Sequence, residues 1–176
     1  MNRSKLALPA LLLTVAAAAL VLASGISART NGKAAAFKAA WIYVGPHNDG
    51  GWSQAHDQGR IYVQKALGSK VQTTYKENVP EGPQVAQVIE QLIRDGNKII
   101  FATSFGFQPA MVAAAKKYPD VKFEMATGTA ISKNLTEYYG AGEDAIYLSG
   151  IAAGAATKTG IVGYVVPFAI PEVIRH

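Results

Sequence analysis

The chain has 176 residues, 49% of them apolar, with 17 Lys and Arg against 12 Asp and Glu and no cysteine. That length and apolar content suit one domain of ordinary size with a real core. The missing thiols exclude disulfides, thiolate catalysis, cysteine metal sites and a lipid-modified N-terminal cysteine, and the scattered basic excess offers no face or stripe for nucleic acid.

The chain opens with a positive segment, Met1 to Lys5, followed by an apolar run from Leu6 to Ala23 rich in alanine and leucine. Ile26-Ser27-Ala28 then reads as a cleavage tripeptide, so residues 1–28 form a secretory signal. The run is nearly long enough to span a bilayer as an uncleaved anchor, but Pro9 and the small-residue exit favour cleavage. The mature protein is therefore expected in an exported compartment, most simply a bacterial periplasm. Residues 29–37 are small, polar and lysine-bearing, and read as a flexible lead-in.

From there short strands and helices alternate. Ala39 to Val44 is strand one. Ser53 to Leu67 places Ala55, Tyr62, Val63, Ala66 and Leu67 at helical spacing before Gly68 ends the helix. Val71 to Tyr75 is strand two. Pro83 opens a helix whose Val85, Val88, Ile89, Leu92 and Ile93 form one apolar stripe closed by Gly96. Lys98 to Ala102 is strand three, and Pro109 to Tyr118 an alanine-rich helix stopped by Pro119. Val121 to Ala126 and Leu135 to Tyr139 are strands four and five. Glu143 to Lys158 is a helix with acids in its first turn and a lysine in its last. Its Gly150, Ala153, Gly154 and Ala155 suit close packing against a sheet. Ile161 to Val166 is a sixth strand, and residues 167–176 are a crossing segment followed by the first turn of another helix. The alternation predicts an α/β fold with a doubly wound, mostly parallel sheet over residues 38–166.

In such sheets ligands bind beyond the carboxyl ends of the strands. The segments expected at that edge are Gly45 to Trp52, Glu77 to Gly82, Thr103 to Phe107, Thr127 to Ala130 and Gly140 to Glu143. The first holds a carboxylate, an amide and an indole, which together suit a flat ligand with hydrogen-bonding edges. Trp52 is a stacking face or a plug beneath the loop. Asp49, with Asn48 beside it, is a ligand acceptor or the residue that fixes the turn and caps the next helix. Ser104, Phe105 and Gly106, and then Thr127 and Gly128, combine hydroxyls with glycines that let backbone approach a ligand. Of Phe105 and Phe107, one is expected to face the cleft and the other the core.

The alternatives that need special chemistry find little support. His47 and His56 lack acids at metal-ligand spacing, Gly-x-Ser-x-Gly is absent, and Gly45, Gly50 and Gly51 do not make a dinucleotide fingerprint. No cofactor and no metal are expected. An enzyme of the exported compartment acting on a nucleoside-like substrate, with His47, Asp49 or His56 as acid or base, stands as a second reading. A sensory ligand-binding module is a third.

The loop Gly45-Pro-His-Asn-Asp-Gly-Gly-Trp-Ser-Gln54 resembles that of the basic membrane protein (BMP, PnrA-like) family. So do Phe101 to Phe107, Tyr118 to Phe123, Tyr139 to Ala145 and Pro171 to His176. The resemblance implies a substrate-binding protein of an ABC importer, capturing a purine nucleoside or base and handing it to a membrane permease. It also implies the fold of a type I periplasmic binding protein, of which this chain would be the N-terminal lobe, the first crossing and the start of the second lobe. Under it, Asp49 falls at the family's acidic ligand-contacting position and Trp52 at its stacking aromatic. Ser104, Phe105, Gly106, Gly142 and Glu143 fall in further cleft loops. Closure about a hinge near Pro167 to Pro171 and a monomer at full length are expected.

Overall fold

The computed structural model describes residues 35–176; the leader and most of the lead-in lie outside the described residues. The elements in chain order are β1 (Phe37–Ile42), α1 (Trp52–Leu67), β2 (Val71–Lys76), α2 (Gln84–Arg94), β3 (Ile99–Ala102), α3 (Gln108–Lys117), β4 (Lys122–Ala126), β5 (Leu135–Tyr138), α4 (Gly142–Ala156) and α5 (Pro171–Arg175). Single 3-10 turns cover Gly68–Lys70 and Phe105–Phe107.

The five strands form one sheet in the order β2-β1-β3-β4-β5, and every pairing is parallel. This is the expected α/β architecture. Strand alternation sends neighbouring side chains to opposite faces. Ala40, Ile42, Ile100, Ala102, Phe123 and Met125 point to the face covered by α2 and α3, where they form the main core with Val85, Ile89, Leu92, Phe107 and Met111. Ala39, Trp41, Tyr43 and Val71 point to the other face and pack with Val63 of α1, Tyr75 and Phe101.

The stripe on α2 buries Val85, Ile89 and Leu92 as its spacing requires. Its end is a Schellman motif: Asn97 N–H donates to Leu92 O at 3.1 Å and Gly96 N–H to Ile93 O at 2.9 Å. Gly96 sits at φ 89°, the left-handed conformation the motif demands. On the other face α1 buries only Ser53 and Asp57. Asp57 accepts from Tyr43 Oη at 3.1 Å and Arg60 Nε at 2.6 Å, and Arg60 lies 4.8 Å over the Tyr75 ring. A buried carboxylate is tolerated here because both donors satisfy it.

Two expectations fail. Ile161 to Val166 is not a strand: residues 157–170 contain no helix or strand, and Ile161 and Val165 are 78% and 94% exposed. The run has strand composition, but no described strand lies alongside to take its backbone hydrogen bonds, and a strand is defined by such pairing. The second failure is α4, whose small residues were expected to pack on the sheet. None of its 15 residues is buried. Tyr147, Leu148 and Ile151 are each more than half exposed, so its apolar surface stands uncovered among the described residues.

Candidate functional site

The sheet order places β1 between β2 and β3, so the connections that follow β1 and β3 run toward opposite edges of the sheet. This is the topological switch point, where the loops after β1 and β3 diverge and leave a crevice. The loop after β1 is shaped by Asp49. Its Oδ1 accepts from Gly51 N–H at 2.8 Å and Gln54 N–H at 3.0 Å, and its Oδ2 from Ser53 N–H at 3.0 Å. These donors, Gln54 first, hold the carboxyl down at about 2. Asp49 therefore caps α1. Asn48 lies on the same turn. His47 turns away to Glu77, whose Oε2 accepts from its backbone N–H and lies 2.7 Å from its Nδ1. The His47 backbone N–H, then its ring, hold the Glu77 carboxyl below its usual range.

Trp52 begins α1 and is 45% exposed. Its Nε1–H donates to Thr103 O at 2.6 Å, tying the first loop to the third. The indole edge is thereby used, the His56 ring lies 4.6 Å from it at 60°, and the exposed remainder borders the cavity. Thr103 is fully buried and donates its hydroxyl to Ile42 O at 3.0 Å. Ser104 donates its hydroxyl to Glu81, and Gly106 N–H reaches the same carboxylate at 3.2 Å. A Cβ at Gly106 would meet that carboxyl group, the far end of an exposed and flexible side chain, which would have to swing aside. Phe107 is fully buried in the core while Phe105 stays at the surface of the crevice, dividing the two rings as expected.

Two cavities adjoin these loops. The larger, about 690 Å³, lies on the sheet face beside α1, bounded by Trp41, His56, Phe101, Glu124 and Tyr138. It opens over the face that α1 covers only in part and reaches the strand ends at Trp52, Thr127 and Gly140, sharing Trp52 and Thr127 with the second cavity. The smaller, about 330 Å³, lies at the carboxyl edge of β1, β3 and β4. Val44, Trp52, Thr103, Ser104, Phe105 and Thr127 form one wall; Pro167, Phe168, Ile170, Glu172 and Val173 form the other. Its position at the switch point and its two-sided enclosure make it the candidate site. A volume of this size falls at the lower end of small-molecule sites.

Among the expected residues, Trp52, Ser104, Phe105 and Thr127 meet in this cavity, while Asn48, Asp49, Gly106, Gly128, Gly142 and Glu143 do not line it. Gly128 packs close to Met125 and its carbonyl accepts from Tyr139. Glu143 pairs with Arg175 at 3.3 Å, and Arg175 also donates to Gly140 O at 2.8 Å and lies 4.9 Å over the Tyr139 ring. These contacts pin α5 against the segment after β5. Glu81, Phe168 and Glu172 were not singled out by the sequence. Glu81 lay inside a loop already assigned to this edge, and Phe168 and Glu172 inside the crossing segment, but nothing in their spacing marks their direction.

His56 and its chain neighbour Asp57 do not form an acid–base pair. Asp57 is committed to Tyr43 and Arg60, while His56 Nδ1 lies 2.9 Å from Trp52 O. Burial holds the His56 imidazole below its ordinary value. His47 and Glu77 do pair, at the half-exposed outer side of the loop. Among the described residues no group of three or more His, Asp or Glu is placed to hold a metal.

A parallel sheet with an aromatic-walled crevice at its switch point is the arrangement in which α/β proteins hold small ligands. A family model for PnrA-like ABC transporter substrate-binding proteins matches residues 36–176, and the chain belongs to that family. It is similar to a purine-binding protein of Brucella abortus, 44% identical over 138 residues, which are 78% of this chain and 39% of that protein. It is also similar to a putative ABC transporter glucose-binding protein of Haloferax volcanii, 41% identical over 137 residues, covering 78% of this chain and 34% of that one. A solved ABC transporter solute-binding protein from Conexibacter woesei matches with TM-score 0.56 at 25% identity, over 68% of this chain and 40% of that one. The chain thus spans well under half the length of these relatives. The family is a substrate-binding class that serves ABC transporters.

Proposed function

We propose that this chain is part of an exported solute-binding protein that captures a purine base or nucleoside and delivers it to an ABC permease, without covalent chemistry. The observation that carries the reading is the 330 Å³ cavity at the switch point, with Trp52 on one wall and Phe168 on the other. A flat heteroaromatic ring matches such walls, because stacking on an aromatic face contributes about 1–3 kcal/mol per base. The likeness to a purine-binding protein agrees with it. The positive and apolar segment at residues 1–28, read from the sequence as a leader, supports export, and closure about a hinge near Pro167 to Pro171 belongs to the same proposal.

A sugar is the second reading, favoured by the likeness to the putative glucose-binding protein. The lining argues against it. A hexose presents hydroxyls around its whole rim, and the cavity is walled mainly by Val44, Phe105, Pro167, Phe168, Ile170 and Val173. Calorimetric titration of a chain extended through the second lobe with adenine, guanine, their nucleosides and glucose tests the choice. Binding of purines with no heat from glucose is the expected result; saturable binding of glucose alone overturns the purine reading.

A further inference from the structure

We infer that α4 closes as a strap over the face of the sheet that α1 leaves bare, filling the larger cavity. The inference is independent of the purine reading. A sheet whose strands are all parallel is covered on both faces in nearly every α/β protein. Here the two faces differ. On the side of α2 and α3, Ile100 and Ala102 of β3 and Phe123 and Met125 of β4 are fully buried. On the side of α1, their chain neighbours Ile99, Phe101 and Glu124 are only partly buried, and Thr136 of β5 is exposed. The 690 Å³ cavity is this uncovered ground, reaching from Val63 of α1 to Tyr138 and Gly140 at the end of β5.

α4 is the piece that matches it. No charged side chain occurs from Ala145 to Thr157, and a helix that is apolar all round is one that belongs in a core. None of its residues is buried in this conformation. The tether decides which copy of the chain supplies the cover. Gly140 lines the cavity and α4 starts at Gly142, so the helix begins at the rim of the ground it covers on closing. A connection that short holds α4 beside its own sheet at a millimolar or higher effective concentration, ahead of any second copy. Gly140 leaves the backbone free to turn there. The Arg175–Glu143 pair at the start of α4, 3.3 Å long and partly exposed on both sides, is weak enough to give way. Polar groups match as well. Glu124 lines the cavity with no hydrogen bond or ion pair among the described residues, and the Tyr147 hydroxyl of α4, equally without a partner there, is a donor for it. With α4 in place, the smaller cavity is the one left open to a ligand.

The lack of native cysteine permits a direct test. Gly59 lines the cavity from α1, and a Cβ there meets nothing within 4 Å. In a chain extended through the second lobe, Gly59→Cys is combined in turn with Gly150→Cys, Ile151→Cys and Ala152→Cys, three consecutive positions that point to different sides of α4. Each double variant is treated with a short bifunctional maleimide. At least one should become an internally bridged monomer, read by mass spectrometry. Lys116→Cys, exposed on α3 at the opposite face, should bridge to none of the three. Circular dichroism confirms folding, and Thr136→Cys on β5 takes the place of Gly59→Cys if that variant does not fold. Bridges formed only between chains give the face to a second copy and overturn the inference. The absence of any bridge overturns it too, as does bridging to Lys116→Cys in equal yield.

Discussion

Replacing Trp52 separates two roles the indole plays at once. Its face borders the cavity, and its N–H holds Thr103 O at 2.6 Å across the mouth. Trp52→Ala removes both. Loss of the stacking surface, about 1–3 kcal/mol, corresponds to roughly 5- to 150-fold weaker binding of a purine. Trp52→Phe keeps a ring and removes only the tether, a neutral hydrogen bond of about 0.5–1.5 kcal/mol, so it should weaken binding by roughly tenfold at most. Calorimetric titration with adenine measures both, alongside thermal melting to follow stability. If Trp52→Ala binds as tightly as the unaltered chain, the ring is not a ligand wall. If Trp52→Phe falls as far as Trp52→Ala, the tether and not the face controls the site.

Three other outcomes follow from the same contacts. Asp49 has its carboxyl lowered to about 2 from 3.8, so its stabilising effect is full above pH 3.8 and is lost as pH falls toward 2; Asp49→Asn should flatten the acid side of a melting-temperature profile over that window. Tyr43→Phe leaves the buried Asp57 without one of its donors and should cost about 1–3 kcal/mol by urea denaturation; no change would show that Arg60 alone satisfies the carboxylate. Gly106→Ala makes the Glu81 carboxyl swing off Ser104 and Gly106 and should weaken adenine binding no more than Glu81→Ala does, the two losses not adding in the double variant; additive losses would break the link between the two loops.

Much of the sheet and its covering helices was legible because their patterns are local. The stripe from Val85 to Ile93 states the face of α2, and Gly96 states its end. The unpaired Ile161 to Val166 and the uncovered α4 were not legible for the opposite reason. Apolar composition says that a segment can be buried, but a strand also needs a neighbour and a helix needs a surface. Within the site, Trp52, Ser104, Phe105 and Thr127 could be placed by topology alone, since loops after parallel strands converge. Asp49 carried two roles on the same residue, and the amides of Gly51, Ser53 and Gln54 show the cap. Glu81 meets Ser104 from 23 positions away and Glu172 lines the cavity from α5, placements that no sequence period encodes.

The chain contains two tryptophans, and the fold has given them opposite surroundings. Trp41 is 6% exposed and stacks on Phe101 at 4.4 Å, while Trp52 stands 45% exposed at the cavity mouth. One indole is therefore an internal gauge of whether the sheet is assembled, and the other an optical window on whatever enters the crevice. A quencher in solvent reaches the second and is kept from the first, so occupancy and unfolding can be followed separately in a single emission spectrum without attaching a label.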